Sequence, residues 1–386
     1  MGLFHNRLNS VTALQIFFVT QSLGLSLWLL RIPEVKSKIG LNLIELSLAL
    51  FMQPFGVLIG FFIAPYLITK IGNRNSCRYF GSTFIAIFML IPMAKTFIFL
   101  STILFISGVV CATVEVSMNA LAAQVEEDLK TRMMSKFHAF WSIGALISGA
   151  LVTLMSLLEI SFLNQQFLII PILLALVVFV AKDLPIYHSS QTEPKSNTVS
   201  GLTPKLSLVI LCITPFGALL LEGALMEWTA VFKRDYQNLP ELTVGLIFCS
   251  FTITMTLARF FGDQVIDRFG INKTILISIS FSLMGMIIYA QNNTAILSII
   301  GASLVGAGIA NIYPLTITLT ASLPGLQEKN VASVAFISFT AFLIGAPLIG
   351  IVGEYLGLET ALSIIAPASL LPLIYLLHKH LENKID

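Results

Sequence analysis

Residues 98–122, IFLSTILFISGVVCATVEVSMNALA, form an apolar run in which Glu115 is the single Asp, Glu, Lys or Arg residue. A helix of about 20 apolar residues can cross a hydrocarbon core roughly 30 Å thick. Similar runs recur along the 386 residues, of which 56% are hydrophobic and 11% charged. Since soluble domains carry about 25% charged residues, this composition excludes an ordinary soluble protein and predicts a polytopic membrane protein.

The spans are expected to be helices, because lipid offers no hydrogen-bond partner to exposed backbone groups. The runs are also too long and too uniformly apolar for the alternating strands of a barrel. The sequence therefore predicts an all-α membrane protein with twelve transmembrane helices. These are expected near residues 11–30, 44–69, 78–94, 98–122, 136–157, 166–183, 207–230, 242–264, 273–290, 295–319, 331–353 and 359–378.

One polar segment, LPIYHSSQTEPKSNTVSGLTPK at 184–205, separates six of these helices from the other six. Its Ser, Thr, Pro and Lys content is typical of a solvated linker. We therefore expect an N-terminal six-helix bundle at 1–183, a cytoplasmic linker at 184–206 and a C-terminal six-helix bundle at 207–386.

Lysine and arginine indicate the orientation of the spans, because cytoplasmic loops carry an excess of both. With the N-terminus inside, cytoplasmic segments hold fifteen of the 22 Lys and Arg residues and outer segments hold six. Both termini are therefore predicted to be cytoplasmic. The net charge of +2 does not suggest a nucleic-acid partner, and the four cysteines, which form no CxxC pair, are typical of small core residues.

The two predicted bundles resemble each other at an offset near 196–198 residues. NLIEL at 42–46 matches NLPEL at 238–242, and TKIGNRN at 69–75 matches DRFGINK at 267–273. Matches in register, with equal helix counts, predict a duplicated and pseudo-symmetric six-helix unit. Parallel repeats around a site at the membrane midplane are an architecture of secondary transporters.

The DRFGINK turn resembles the loop motif of the major facilitator superfamily, Gly-x-x-x-Asp-Arg-x-Gly-x-Lys/Arg. The first-half turn departs from that motif, because Thr69 stands in the Asp position and Lys70 in the Arg position. Several segments resemble the fucose-permease-like branch of bacterial inner-membrane members. These are LRIPEVKSKIGL (30–41), VEVSMNA (114–120), MSKFHAFWSIGAL (134–146), LEGALMEWTAVF (221–232) and GIANIYPL (308–315). The resemblance implies two six-helix bundles in a bacterial inner membrane.

Glu115 is the first candidate for a functional side chain. Ser107, Cys111, Glu115 and Asn119 recur every four residues and share one helix face, which we expect to line a cavity between the bundles. A charge at the bilayer centre costs about 2.5–3.5 kcal/mol or more, so such groups mark functional sites. Because burial favours the neutral form of a carboxyl group, Glu115 is a candidate for proton coupling. The alternative is a purely structural pair with a cation.

The resemblance supports the first interpretation. In the fucose permease an acidic residue on helix 4 serves proton coupling, and Glu115 lies on the equivalent helix. That permease also carries an acid on helix 1, where this chain has Gln15 and Gln21 and no acid. A relay of two carboxylates is therefore not implied.

Two further side chains are candidates for proton coupling. Glu222 follows Pro215 by seven residues in helix 7, where a proline-induced bend suits a moving element. His138, early in helix 5, shares a face with Ser142 and is able to pass protons or to hydrogen-bond Glu115. The alternative for His138 is a structural hydrogen bond near the cytoplasmic surface.

Polar and aromatic residues within the spans are candidates for substrate binding. Asn311 and Tyr313 interrupt helix 10 just before Pro314, and an amide and a phenol at a broken helix suit recognition of hydroxyl groups. The other members of this set are Asn119, Gln21, Gln53, Trp141 and Trp28. For Trp28 the alternative is an aromatic belt at the membrane interface.

A third set of side chains suggests gating. Arg259, Asp263 and Asp267 follow one another at intervals of four, with Arg268 next, and predict an ion-pair latch at the cytoplasmic end of helix 8. Arg31 ends helix 1 at the outer mouth. It is expected either to reach lipid headgroups or to pair with Glu34 or Glu227.

These patterns favour a secondary transporter that moves a small polar solute, sugar or sugar-like, by alternating access and proton-coupled symport. Sodium is an alternative coupling ion, and proton-driven efflux of amphipathic compounds is the alternative function. An enzyme is not expected, since GxxxxGK[ST], HExxH and GxSxG are absent. The expected partners are a small-molecule substrate and the bilayer, with no cofactor, no metal and a monomeric state.

Overall fold

A computed structural model describes residues 2–131, 133–186, 206–321 and 327–385. Within these residues twelve helical spans are long and apolar enough to cross a membrane, which confirms the predicted number. In chain order, α1 to α12 are Ser10–Ile39, Leu43–Ile71, Asn73–Met93, Phe97–Leu129, Met134–Leu157, Phe162–Val180, Leu208–Tyr236, Glu241–Phe260, Ile271–Gln291, Ala295–Ile317, Phe336–Leu356 and Leu358–His378. We call α1–α6 the first bundle and α7–α12 the second. Most of the predicted linker lies outside the described residues.

Seven spans lie in uninterrupted helices. Their bounds are Leu43–Ile71, Phe97–Leu129, Met134–Leu157, Phe162–Val180, Glu241–Phe260, Ile271–Gln291 and Gln327–Leu356. A short helix, Gly262–Phe269, follows α8.

The other five spans are interrupted. The pieces of α1 are Gly2–Ser26, the 3-10 turn Leu29–Arg31 and Ile32–Ile39, and those of α3 are Asn73–Ile87 and Phe88–Met93. Span α7 has Leu206–Ile213, Phe216–Ala230 and the π-helical Val231–Tyr236, and α10 has Ala295–Ile309 and Ile312–Ala321. The pieces of α12 are Leu358–Ile365, Ala366–Leu370 and Pro372–Ile385.

Proline accounts for the breaks in α7 and α10, and Pro33, Pro367 and Pro372 stand at the starts of pieces of α1 and α12. Pro215 separates two pieces of α7, and Pro314 lies in the first turn of the second piece of α10. Proline lacks an N–H group and is tolerated at a helix start, whereas inside a helix it removes a hydrogen bond. The sequence predicted both irregularities. It did not predict Ile32–Ile39 as a helix, since its charged residues resemble a loop.

The internal repeat is visible in the packing of glycines. A Cβ added at Gly108 in α4 would lie 2.0 Å from the carbonyl oxygen of Gln53 in α2. A Cβ at Gly306 in α10 would lie 2.3 Å from the carbonyl oxygen of Phe251 in α8. Both members of the second pair follow those of the first by 198 residues, so the two bundles repeat the same close helix crossing. Small residues allow such close approach within a membrane.

The two bundles meet mainly along two pairs of helices, α5 with α8 and α2 with α11, and the last part of α1 also contacts α7. We call the membrane face reached by residues 181–186 the linker face, and the other the opposite face. Towards the linker face, Phe140 meets Phe260 at a ring-centroid distance of 6.0 Å, and Phe61 meets Phe339 at 6.1 Å.

Near the opposite face the two bundles are joined by close backbone packing and by a hydrogen bond. If Gly245 of α8 carried a Cβ atom, that atom would lie 1.9 Å from Thr153 Oγ1 of α5. The two helices therefore touch at this glycine. The N–H of Leu43, at the start of α2, donates a hydrogen bond of 2.8 Å to Glu354 Oε2 of α11. A carboxylate of one bundle thus accepts from the first turn of a helix in the other, where the helix dipole favours negative charge.

Candidate functional site

Glu115 lies near the middle of α4, and its carboxylate is paired with an amide. Asn119 Nδ2 donates to Glu115 Oε2 at 3.0 Å and to the Glu115 carbonyl oxygen at 2.9 Å. The two side chains therefore share a face, as the four-residue spacing predicted. The Glu115 carboxylate also interacts electrostatically with the phenol of Tyr313, which lies in α10 of the second bundle. Among the described residues, no ion pair includes Glu115.

A second polar group centres on Arg259 of α8, which is only 9% exposed. Its Nη2 lies 3.3 Å from Glu222 Oε2 of α7, within the same bundle. Its Nη1 donates a hydrogen bond of 2.6 Å to Ser142 Oγ of α5, in the first bundle. The guanidinium group therefore holds two helices of its own bundle together and reaches across the interface.

The structure adds a partner that was not predicted for Arg259. The sequence placed it in a latch with Asp263 and Asp267 at the end of helix 8. Arg259 does lie in the last turn of α8, which ends at Phe260, and a separate short helix, Gly262–Phe269, follows it. Its described carboxylate partner is Glu222, 37 residues earlier in the chain.

The remaining members of the predicted latch lie on Gly262–Phe269. Asp267 and Arg268 are exposed, and the Arg268 guanidinium lies 5.6 Å from the ring centre of Phe269. The side chain of Asp263 lies outside the described part of the chain. A gating role for these residues at the linker face stays a prediction.

Arg31 is buried and belongs to a contact inside the first bundle. Its Nε donates to Gln165 Oε1 of α6 at 2.9 Å, its Nη2 donates to the Ile160 carbonyl oxygen at 2.9 Å, and its Nη1 pairs with Glu34. The predicted pair with Glu34 is thus confirmed, and the alternative of reaching lipid headgroups is wrong. Because all these partners lie in one bundle, the contacts of Arg31 do not support gating between the bundles.

His138 lies one turn before Ser142 on α5. Its ring meets the Phe18 ring edge-on at a centroid distance of 5.8 Å, and it lies within electrostatic range of Arg259. The Ser142 hydroxyl, which accepts from Arg259, donates to the His138 carbonyl oxygen at 3.3 Å. The suggested hydrogen bond from His138 to Glu115 does not occur among the described residues.

Asn311 has a structural contact. Its Nδ2 donates to the Ala258 carbonyl oxygen of α8 at 3.0 Å, and its Oδ1 lies 2.2 Å from where a Cβ at Gly262 would be. The amide therefore braces the end of α8 against the break in α10. A contact of Asn311 with the substrate stays a prediction.

The other predicted substrate residues differ in burial. Gln21 is fully buried, and its amide faces Gly81 of α3 in the same bundle. Trp28 is also buried, at 1% exposure, which excludes the lipid-facing aromatic belt proposed as its alternative. Gln53 and Trp141 are half-buried, as a group lining an internal space would be.

Sequence reasoning missed the part played by Ser142. It recorded that Ser142 follows His138 by one helical turn, but a serine in a membrane helix usually bonds its own backbone. The signal that could have identified it was the buried arginine on the facing helix, and that pairing requires knowledge of the fold.

These side chains are better suited to binding and releasing a charged group or a proton than to making or breaking covalent bonds. One half-buried carboxylate, that of Glu115, has only an amide partner, and a second, that of Glu222, is bound to an arginine that also contacts the other bundle. Within the described residues, no group of three His, Cys, Asp or Glu side chains could hold a metal ion.

Comparison with known proteins gives relatives over most of the chain. An uncharacterised MFS-type transporter of Yersinia pestis is 26% identical over 353 residues, which are 91% of each chain. A variant of the nucleoside transporter NupG has a TM-score of 0.72 at 16% identity, covering 95% of this chain and 98% of that one. The fucose:proton symporter FucP of E. coli has a TM-score of 0.64 at 17% identity, covering 94% and 97%.

The two solved structures share the fold of this chain, and at such identities they show no more than that. The family is shown by its sequence model, described as Major Facilitator Superfamily, which matches residues 11–339 and also 216–384. The predicted family and fold are therefore confirmed, with twelve spans in two pseudo-symmetric six-helix bundles. The protein is a multi-pass membrane transporter that belongs to the Major Facilitator Superfamily.

Proposed function

We propose that the protein moves a small polar solute, of the sugar or sugar-like class, together with protons by alternating access. It works as a monomer in a bacterial inner membrane, with both termini in the cytoplasm. The bias of Lys and Arg towards the predicted cytoplasmic segments supports that orientation.

The observation that carries the proposal is the environment of Glu115. Its carboxylate accepts a hydrogen bond from Asn119, and no described cation pairs with it. A charge without a partner in low dielectric is costly, so the protonated form is favoured while water is excluded. When the cavity opens to water, the charged form becomes favourable and the proton leaves. Binding and release of one proton are thereby tied to the conformation.

Glu222 and His138 have supporting roles in this proposal. Arg259 holds the Glu222 carboxylate beside the interface between the bundles. His138 lies one helical turn from Ser142, which the same guanidinium group contacts. Hydroxyl groups of a solute are able to replace Ser142 as partners of the guanidinium group, which connects solute binding to the interface between the bundles. Asn119, Tyr313, Gln53 and Trp141 are the proposed further contacts to the solute.

The substrate class also draws support from the comparisons. The chain is similar to proteins named as a nucleoside transporter and a fucose:proton symporter. Both names refer to polyhydroxylated solutes, which suit amide, phenol and guanidinium partners.

The experiment compares wild type with Glu115→Gln in proteoliposomes. Labelled fucose, glucose and uridine are the probes, in counterflow and in accumulation driven by an inward proton gradient. We expect Glu115→Gln to abolish accumulation and to retain counterflow, because exchange does not require net proton movement. The matched control is Glu127→Gln, an exposed glutamate near the end of the same helix, which should behave as wild type.

Three results would contradict the proposal. Equal loss of counterflow and accumulation in a folded Glu115→Gln protein would assign Glu115 to solute binding. Accumulation driven by a sodium gradient alone would make the proton the wrong ion. No flux of polar solutes, together with export of amphipathic drugs, would favour the alternative of efflux.

A further inference from the structure

A cavity of about 300 Å³ lies at the linker face, between the α2–α3 turn and the end of α6. Three cationic side chains line it, namely Arg74, Arg78 and Lys182, and its described lining includes no carboxylate. None of these residues belongs to the central polar groups described above.

The backbone arranges the cations around the opening of a helix. Gly72 has φ 80° and ψ 158°, a conformation that glycine adopts readily, and α3 begins at the next residue. The first N–H groups of a helix have no partner within it and carry the positive end of its dipole. Arg74 Nε donates to the Ala181 carbonyl oxygen at 2.8 Å, which fixes the guanidinium group against the end of α6 and leaves its Nη groups available.

The repeat shows why this turn is so positive. The matching turn in the second bundle has nearly the same backbone, with Gly270 at φ 77° and ψ 160°. There Asp267 precedes the glycine by three residues, whereas Thr69 occupies that place in the first bundle and donates to the Tyr66 carbonyl oxygen. Among the described ion pairs none includes Arg74, Arg78 or Lys182.

Exposed apolar side chains border the same cavity. Ile71 and Ile186 line it with exposed fractions of 37% and 66%, and Tyr79 beside Arg78 is 56% exposed. Cations beside exposed apolar groups, at the level where a membrane helix ends, suit a molecule with a phosphate head and hydrocarbon tails. Arginine binds phosphate through several charge-assisted hydrogen bonds, and basic pockets between membrane helices bind anionic headgroups.

We propose that this cavity binds the phosphate group of an anionic phospholipid, held by Arg74, Arg78 and Lys182 with its acyl chains along Ile71 and Ile186. The site takes the lipid and not free phosphate, because the apolar border contributes to binding. It is independent of the solute path and of the coupling ion.

The test measures lipid retention. The protein is incorporated in nanodiscs of phosphatidylethanolamine and phosphatidylglycerol, extracted into detergent and examined by native mass spectrometry. Wild type should retain phosphatidylglycerol in preference to phosphatidylethanolamine. The double variant Arg78→Gln with Lys182→Gln should weaken that retention about 10- to 30-fold, at the attraction expected for two cations near a membrane surface.

A matched control removes two exposed lysines elsewhere, Lys95→Gln with Lys273→Gln, for the same change of net charge. It should retain phosphatidylglycerol like wild type, which would show that local geometry and not total charge is responsible. Equal retention by the first double variant and wild type would overturn the site. Equal loss in the control would do the same.

A competition experiment separates the two sources of phosphate. Inorganic phosphate and glycerol 3-phosphate are added to the wild-type complex at millimolar concentration. We expect phosphatidylglycerol to remain bound, because these solutes lack acyl chains. Displacement at this concentration would overturn the lipid assignment and make this a site for soluble phosphate.

Discussion

Arg259 donates to Glu222 in its own bundle and to Ser142 in the other. All three side chains are largely shielded, since Arg259 is 9% exposed, Glu222 15% and Ser142 0%. In such surroundings, removing one member of an ion pair costs more than removing both, because it leaves an uncompensated charge. A comparison of single and double variants therefore measures what the Arg259–Glu222 pair contributes to stability.

We expect Glu222→Leu to lower the stability of the protein strongly, by about 3–5 kcal/mol, the usual cost of leaving a buried charge alone. The double variant Glu222→Leu with Arg259→Met should recover most of that loss, since neither charge remains. Thermal unfolding in detergent measures both effects. The double variant should nevertheless fail to transport, because the contact between the bundles through Arg259 is gone.

Two outcomes would contradict this expectation. A single variant as stable as wild type would mean that water solvates Arg259. A double variant with normal transport would mean that the pair is only structural.

The sequence identified Arg259 and Glu222 as candidate functional residues, but it did not predict that they contact each other. Glu115 and Asn119 could be paired in advance, because helical spacing alone puts them together. Arg259 was instead matched with Asp263 and Asp267, the nearest acids in sequence. Its described carboxylate partner lies on another helix, and only tertiary packing brings it within 3.3 Å.

At the level of helices, glycine determines how closely α2 approaches α4 and α8 approaches α10. Gly108 and Gly306 each face a carbonyl oxygen of the neighbouring helix, at a separation that leaves no space for a methyl group. In a membrane such close packing replaces the hydrophobic effect as a source of helix association.

We expect Gly108→Ala to destabilise the protein by about 1–3 kcal/mol, since the added methyl group forces α2 and α4 apart. Gly306→Ala should cost a similar amount, because it makes the equivalent contact. The measurement is again thermal unfolding in detergent. Gly345→Ala is the matched control, where the nearest atom is the flexible end of Leu220 at 2.9 Å and little change is expected.

If Gly108→Ala and Gly345→Ala lost the same stability, the close crossing would not be responsible. The effect would then come from the general cost of adding a methyl group to a membrane helix.

The helices were largely predictable, because length and apolarity are properties of short segments. Pro215 and Pro314 also predicted the breaks in α7 and α10. The short helix Ile32–Ile39 was missed because its charged face resembles a loop, and its burial depends on neighbours that the sequence does not show.

For the whole molecule, the contacts between α5 and α8 join the two bundles near the opposite face. A Cβ at Gly149 would lie 3.3 Å from the Sγ of Cys249, in the other bundle. This is close to the separation found across a disulfide, once the Phe248 ring turns aside. A single substitution could therefore link the bundles through a native cysteine.

We expect Gly149→Cys to lose transport on oxidation, because alternating access requires the two bundles to separate at this face. A reductant should restore it. The measurement is counterflow in proteoliposomes before and after each treatment. The control adds Cys249→Ser, which removes the partner thiol and should make transport insensitive to oxidation.

Full transport by a quantitatively cross-linked protein would contradict rocking of the bundles about the centre. Motion would then have to take place within each bundle.

The hydrogen bond from Leu43 to Glu354 has a consequence for time-resolved measurement. The acceptor for this backbone amide belongs to the other bundle. In the alternating-access cycle proposed above, the N–H would lose this acceptor each time the opposite face opens. Its proton then becomes exchangeable with solvent. Where exchange of the freed amide is faster than reclosing, the rate of deuterium uptake at the start of α2 would record how often the transporter opens on that side, with no probe attached.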